Sequence, residues 1–200
     1  MRARMALAYT GILCEHREIT LRNKPAEMLN ASPKSTVPVL VLPDGAVVDE
    51  SLAIMFWALT QSDPDGWRNP PVSRSEQAWL QDNDGPFKTL LDKYKYADRY
   101  PEQVAEFYRD QALPYLVAID NALSTAAWLH GDHIGLCDIA LVPFVRQFAM
   151  VDMPWFSRCS LTALKAWLNT LLNSPLFITV MEKYEPWAPE SAPIFSEIMQ

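Results

Sequence analysis

Two kinds of hydrophobic pattern divide this chain. Up to about residue 60 the apolar spacing changes from segment to segment, and beyond that it is helical throughout. Residues 1–11 read as a helix that closes on Gly11, a residue suited to a C-cap. Residues 15–21 alternate polar and apolar, as a half-buried strand does. Pro25 opens a short helix. A strand over 37–42 starts on a Val-Pro pair, turns on Pro43-Asp44-Gly45 and returns over 46–48. It runs into Glu50-Ser51 and an apolar helix over 51–59. The order is α-β-α-β-β-α.

Residues 61–73, QSDPDGWRNPPVS, crowd proline, glycine and polar residues together, so the domain boundary is expected there. The expected domains are 1–62 and 72–200. In the second, a long helix over 74–97 is interrupted by Gly85-Pro86, where a missing N–H should bend the axis. Further helices are expected over 102–124, 161–172 and 175–184. The tail over 185–193 carries three prolines and is expected to run extended over the surface.

HIGLCDIALVPF reads as a helix start. With Gly135 at the N-cap, Asp138 falls at N3, where its carboxylate can reach back to the N-cap N–H. Ile134 and Ile139 then take the hydrophobic-staple positions. Asp138 is expected to be buried and to matter for folding, not chemistry.

The binding chemistry concentrates in 34–52, KSTVPVLVLPDGAVVDESL. Proline at the head of a strand can hold a cis bond, and Val37 then presents its own N–H and C=O to a ligand. Ser51 begins a helix whose free N–H groups and dipole favour a carboxylate, while Glu50 can hold an ammonium group. Main-chain pairing, an anion pocket and a carboxylate together suit an extended γ-glutamyl peptide. The plainer reading is that Val37-Pro38 only starts a strand and Glu50-Ser51 only caps a helix.

Composition narrows the rest. Half of the residues are hydrophobic, no low-complexity tract is present, and no apolar run reaches the ~18 residues of a membrane span. Such a chain is expected to be soluble and cytoplasmic, away from membranes. The first 62 residues balance six Lys and Arg against six Asp and Glu, so the net charge of −7 lies wholly beyond them. An acidic helical domain argues against nucleic acid, whose phosphates call for Lys and Arg. Cys14, Cys137 and Cys159 are too scattered for a disulfide framework, and His16, His130 and His133 make no metal-ligand spacing with them.

The segments MRARMALAYTGI, REITLRNKPAEML and NASPKSTVPVLVL resemble the thioredoxin-like domain of the glutathione transferase superfamily. NDGPFKTLLDKYKYADRYPE and GLCDIALVPFVRQFA resemble its helical domain. The fold class implied is an α/β thioredoxin-like domain followed by an all-α domain. The resemblance implies glutathione as co-substrate, a small electrophilic or disulfide second substrate, and a homodimer. Glutathione would pair with Val37 beside Pro38, rest its γ-glutamyl end on Glu50 and Ser51, and reach Lys34 with its far carboxylate. Trp79, Asn83, Asp84, Tyr94 and Tyr96 lie on the long helix that in this family faces the site cleft; aromatics at such spacing are usually core, and the alternative is that the kink at Gly85-Pro86 turns some of them toward an acceptor pocket.

In the most similar members a Cys-Pro-Tyr-Ala run would directly precede the segment beginning at Met1. The first strand and the catalytic turn are therefore expected to be missing from these 200 residues, leaving no catalytic residue to assign. Two alternatives follow: a non-catalytic scaffold that keeps the fold, or a natural start upstream of Met1. Without the first strand, 15–21 and 37–42 should present unpaired backbone. A partner's segment, a shifted strand or water is expected to cover it.

Overall fold

A computed structural model of the protein describes residues 1–195. The chain separates into two compact units, one from Met1 to Asp65 together with the residues from Ser174 onward, the other Gly66–Asn173. The described residues from 174 to 195 are thus grouped with the first unit.

In the first unit, α1 (Arg2–Tyr9) buries Ala3, Met5, Ala6 and Ala8. It packs on α3 (Ser51–Gln61), which buries Ile54, Met55, Ala58 and Leu59. Alanines at this spacing let the two backbones approach closely. Thr10 ends α1 by turning its hydroxyl back to the Ala6 carbonyl, and Gly11 leaves the helix at φ 71°. Between them lie the short α2 (Ala26–Ala31), β1 (Val39–Val41) and β2 (Val47–Asp49). The two strands pair antiparallel with Leu40 opposite Val48. Asp44 accepts from Ala46 N–H, and Gly45 takes φ 85° to close the turn.

The strand expected over 15–21 does not form. That stretch makes only isolated bridges, Glu15 with Phe195 and Thr20 with Asn23. Alternation marks a face but supplies no neighbour, and its backbone is met instead by the chain's own C-terminal segment. His16 N–H donates to the Ile194 carbonyl and Trp187 N–H to the Glu18 carbonyl, both at 2.7 Å. Arg17 lies over the Trp187 ring and Arg4 over Tyr184. None of the coverings anticipated for this edge included that segment. It follows α10 (Pro175–Val180), which packs on α1.

The second unit is helical. It comprises α4 (Arg74–Asp82), α5 (Lys88–Lys95), α6 (Ala105–Leu123), α7 (Leu136–Val151), α8 (Met153–Arg158) and α9 (Thr162–Leu172). Gly85-Pro86 does interrupt the long helix, as a π-helical turn over Asn83–Phe87 that absorbs the missing proline N–H. A helix that is apolar on every side belongs in a core, and α7 buries Leu136, Ile139, Leu141, Val142, Val145 and Phe148. The sequence reading passed over α8, although Asp152 caps it by accepting from Trp155 N–H and Pro154 stands in its first turn. Among the described residues no helix is long and apolar enough to cross a membrane.

Candidate functional site

The ladder of β1 and β2 starts at the Val39–Asp49 pair, which leaves Val37 outside it and 48% exposed. The peptide bond between Val37 and Pro38 is cis, as the position in the sequence suggested. Continued by two residues, the register would set Val37 opposite Ser51. A single hairpin therefore gathers the residues that the sequence picked out.

Glu50 is the N-cap of α3 and holds φ 70°, a left-handed conformation that a residue with a Cβ adopts at a cost of roughly 1–2 kcal/mol. The kink turns the chain from β2 into α3, and the Glu50 carbonyl still accepts the first helical bond, from Ile54. No side chain caps this end. The first-turn N–H groups consequently have no intrahelical acceptor, and with the helix dipole they present positive potential.

Lys34 reaches the same place from the loop before β1. Its Nζ lies 3.1 Å from Asp49 Oδ1 and 3.8 Å from Glu50 Oε1. Ser32, almost fully buried, turns its hydroxyl toward the other Asp49 oxygen. Lys34, Asp49 and Glu50 thus form one cluster, a single cation between two carboxylates. An exposed pair of this kind is worth at most about 1 kcal/mol, so Lys34 can leave it for a ligand at small cost.

Sequence reasoning missed Arg2. It is 4% exposed, and its Nη1 donates to Ser51 Oγ at 3.3 Å. The signal was present: three- and four-residue spacing sets Arg2 on the face of α1 that carries Met5 and Ala6. A charged residue on an apolar face implies a buried partner.

The three cysteines and Tyr9 serve other ends than the hairpin's chemistry. Cys14 lies past the C-terminal end of α1, the end away from Arg2 and Ser51, and burial pushes its thiol above its ordinary value. The Tyr9 hydroxyl donates to Asp63 and accepts from Asp65 N–H, and burial above all, opposed by the Asp65 N–H, raises its pKa. In the second unit, Cys137 is buried in α7 and Cys159 donates to the Phe156 carbonyl. Of the residues offered for an acceptor pocket, Asn83 and Tyr94 lie in the core of that unit. Tyr96 stacks against Lys95 and Arg99, Asp84 is bonded by Asn83 Nδ2, and Trp79 gives its carbonyl to Tyr115.

A small α/β unit with an open helix start beside a Val-Pro hairpin, and a separate all-helical unit, define a two-domain protein of the thioredoxin-like class. Residues 1–61 match the family model of the glutathione S-transferase N-terminal domain, and residues 85–175 that of the C-terminal domain. The chain belongs to the glutathione transferase superfamily. It is 29% identical over 183 residues to glutathione S-transferase U19 of Arabidopsis thaliana, covering 86% of this chain and 80% of that one. It is 23% identical to elongation factor 1-gamma of Drosophila melanogaster over 92% of its own length. It spans 44% of that relative and 36% of the elongation factor 1-gamma of Schizosaccharomyces pombe. Among solved structures, glutathione transferase URE2P6 of Phanerochaete chrysosporium, in complex with oxidized glutathione, superposes with a TM-score of 0.74 at 21% identity. That match covers 90% of this chain and 88% of the other.

Proposed function

We propose that this glutathione transferase-like protein binds glutathione at the hairpin, with the peptide extended along Val37 beside Pro38. The observation that carries the reading is Glu50. Held at φ 70° at the N-cap of an uncapped helix, it sets a carboxylate beside Ser51 and open backbone N–H groups. The γ-glutamyl ammonium goes to Glu50 and its carboxylate to Ser51 and the first-turn N–H groups. Lys34 leaves Asp49 to take the glycine carboxylate. The complex that URE2P6 forms with oxidized glutathione supports this choice of ligand.

The chemistry proposed is that of the bound thiol. As a thiolate it attacks a small electrophile and expels its leaving group, or attacks a disulfide and releases one thiol. No described side chain at the hairpin is assigned as a nucleophile. The same reading has the protein act as a homodimer in the cytoplasm, and the three cysteines, all free, suit a reducing compartment. A second reading, binding without turnover, is favoured by the likeness to elongation factor 1-gamma over most of this chain.

Calorimetric titration of the 200-residue protein with glutathione tests the first step. Micromolar to millimolar affinity is expected, weakened by Glu50→Ala and Ser51→Ala. Absence of heat across that range would overturn the proposal. Turnover of glutathione with an aryl halide or a mixed disulfide separates the two readings, since the binding-only protein shows affinity without product.

A further inference from the structure

His130 is bonded on one side only. Its Nδ1 lies 2.7 Å from Glu76 Oε1, and an ionised carboxylate only accepts, so Nδ1 carries a proton. In the neutral ring that leaves Nε2 bare, a pure acceptor. The side chain is 1% exposed, and among the described residues Nε2 meets no hydrogen-bond partner. A carbonyl faces this ring, that of Asn69. It offers lone pairs and no proton, so it cannot satisfy a bare nitrogen. The neighbouring histidine shows what it does accept: His133 Nε2 lies 3.1 Å from the same Asn69 oxygen and must donate. The two rings stand edge to face with centroids 5.0 Å apart. A carbonyl oxygen has two lone pairs, so Asn69 can take a second donor.

One proton reverses the sign of this contact. On Nε2 it turns two facing acceptors into a donor and an acceptor, and it sets an imidazolium beside the Glu76 carboxylate. We propose that His130 is a proton-operated clamp: protonated, it bonds Glu76 through Nδ1 and Asn69 through Nε2, tying residues 66–73 to the start of α4, and neutral, it lets Asn69 go. The titratable and charged groups that face the ring are Glu76 from α4, Asp138 from α7 and His133 from its own loop. Burial opposes the charge, and Glu76, the Asn69 carbonyl and Asp138 outweigh it, which sets the histidine above its ordinary 6.5. The clamp therefore closes as pH falls and opens as pH rises through that raised value. Leu136 N–H still holds the Trp67 carbonyl at 3.0 Å when it opens, so the segment loosens without detaching. Residues 66–73 begin the second unit, and the proton adjusts how firmly that unit holds them.

Two measurements on the full chain test this from about pH 5 to about pH 9. Nitrogen NMR of the histidine rings is expected to show neutral His130 with its proton on Nδ1, His130→Gln assigning the signal. Deuterium exchange is read at Asn69 N–H, which donates to the Gly66 carbonyl at 2.8 Å, and corrected for the intrinsic effect of pH. Its protection should lie below that of α6, the mark of local opening, and fall about tenfold as His130 loses its proton. In His130→Gln the protection should no longer follow pH. In Glu76→Gln, which keeps a capping-box residue without the charge, the fall should move to lower pH. His133→Gln should leave it in place. A neutral His130 that carries its proton on Nε2 would overturn the clamp. So would Asn69 protection that ignores pH in wild type, that equals α6 throughout, or whose pH dependence survives His130→Gln or vanishes with His133→Gln. The wild-type tautomer and exchange profile decide even where a variant fails to fold.

Discussion

The ring of His130 stands where a side chain at Gly135 would have to be. A Cβ built at position 135 would lie 2.5 Å from both Cβ and Cγ of His130. The N-cap of α7 therefore forgoes the hydroxyl that would serve it better, a loss of only a few tenths of a kcal/mol. Asp138 supplies the remaining half of the cap, accepting from Gly135 N–H at 3.0 Å. Gly135→Ser is expected to destabilise the protein by about 2 kcal/mol, because the crowding outweighs the better cap. In a His130→Gly background, which removes the Cβ as well as the ring, the same change should cost nothing. Urea unfolding of the four proteins checks this, and additive effects would exclude the contact.

The same histidine ties the start of α7 to the start of α4. His130 Nδ1 meets Glu76 Oε1 at 2.7 Å, with the two side chains 1% and 5% exposed. Glu76 is also the N3 residue of the capping box that Ser73 opens. Burial alone would lower His130, but the hydrogen bond and charge of Glu76 outweigh it and raise the group above its ordinary 6.5. Burial alone would raise Glu76, yet the bonds from His130 and Ser73 hold it below its ordinary 4.5. A raised histidine stabilises fully below about 6.5 and loses that contribution as pH climbs through its folded value. A lowered glutamate stabilises above about 4.5 and loses that contribution as pH falls through its folded value. The pair should thus contribute most between these two values. His130→Gln is expected to flatten the alkaline side of a stability profile taken from about pH 4 to about pH 9. An unchanged profile would remove the pair from the account.

Local signals carried far in this sequence. Pro43-Asp44-Gly45 placed the hairpin turn, and the spacing from Gly135 to Asp138 placed the start of α7. Glu50-Ser51 marked the β2–α3 junction that the structure kinks. What periodicity cannot hold is the identity of a distant partner. Arg2 finds Ser51 across 49 positions, and His130 finds Glu76 across 54. The stretch at 15–21 had the alternation of a strand, but strand formation needs a neighbour at ladder distance. Its neighbour proved to be a proline-rich segment near the other end of the chain, met by backbone hydrogen bonds at His16 and Glu18 and not by a continuous ladder. Asn83 and Tyr94 were aromatic and amide residues in a helix, a pattern shared by pocket linings and cores; burial decides for the core.

Asp138 holds three elements by its two oxygens. Oδ1 accepts from Leu129 N–H and from the Trp167 indole N–H, and Oδ2 from Gly135 N–H. Burial pushes its pKa up, and the donors oppose that shift without cancelling it. Asp138→Ala leaves three buried donors unpaired, each worth about 1–3 kcal/mol, so a loss of at least about 3 kcal/mol is expected. Asp138→Asn keeps one acceptor and turns an NH2 group toward a donor, for a loss of about 2 kcal/mol. Urea midpoints rank the two. Equal midpoints for all three proteins would mean that the carboxylate does not join these elements.

Glu50 sets stability against binding. Its φ of 70° burdens the fold by roughly 1 kcal/mol, a cost that glycine would not bear. Removal of its carboxylate deletes the proposed partner of the ligand's ammonium group. Glu50→Gly is therefore expected to raise unfolding stability by about 1 kcal/mol and to weaken glutathione by at least about tenfold. Glu50→Ala should weaken binding equally without the gain, since alanine keeps the burden of the Cβ. Most substitutions that damage a site leave stability unchanged or lower it, so opposite signs in one variant would be diagnostic. Matched urea and calorimetric titrations of the two variants measure both quantities. A glycine variant that binds as wild type does would leave Glu50 a backbone hinge alone, and the ammonium would need another partner.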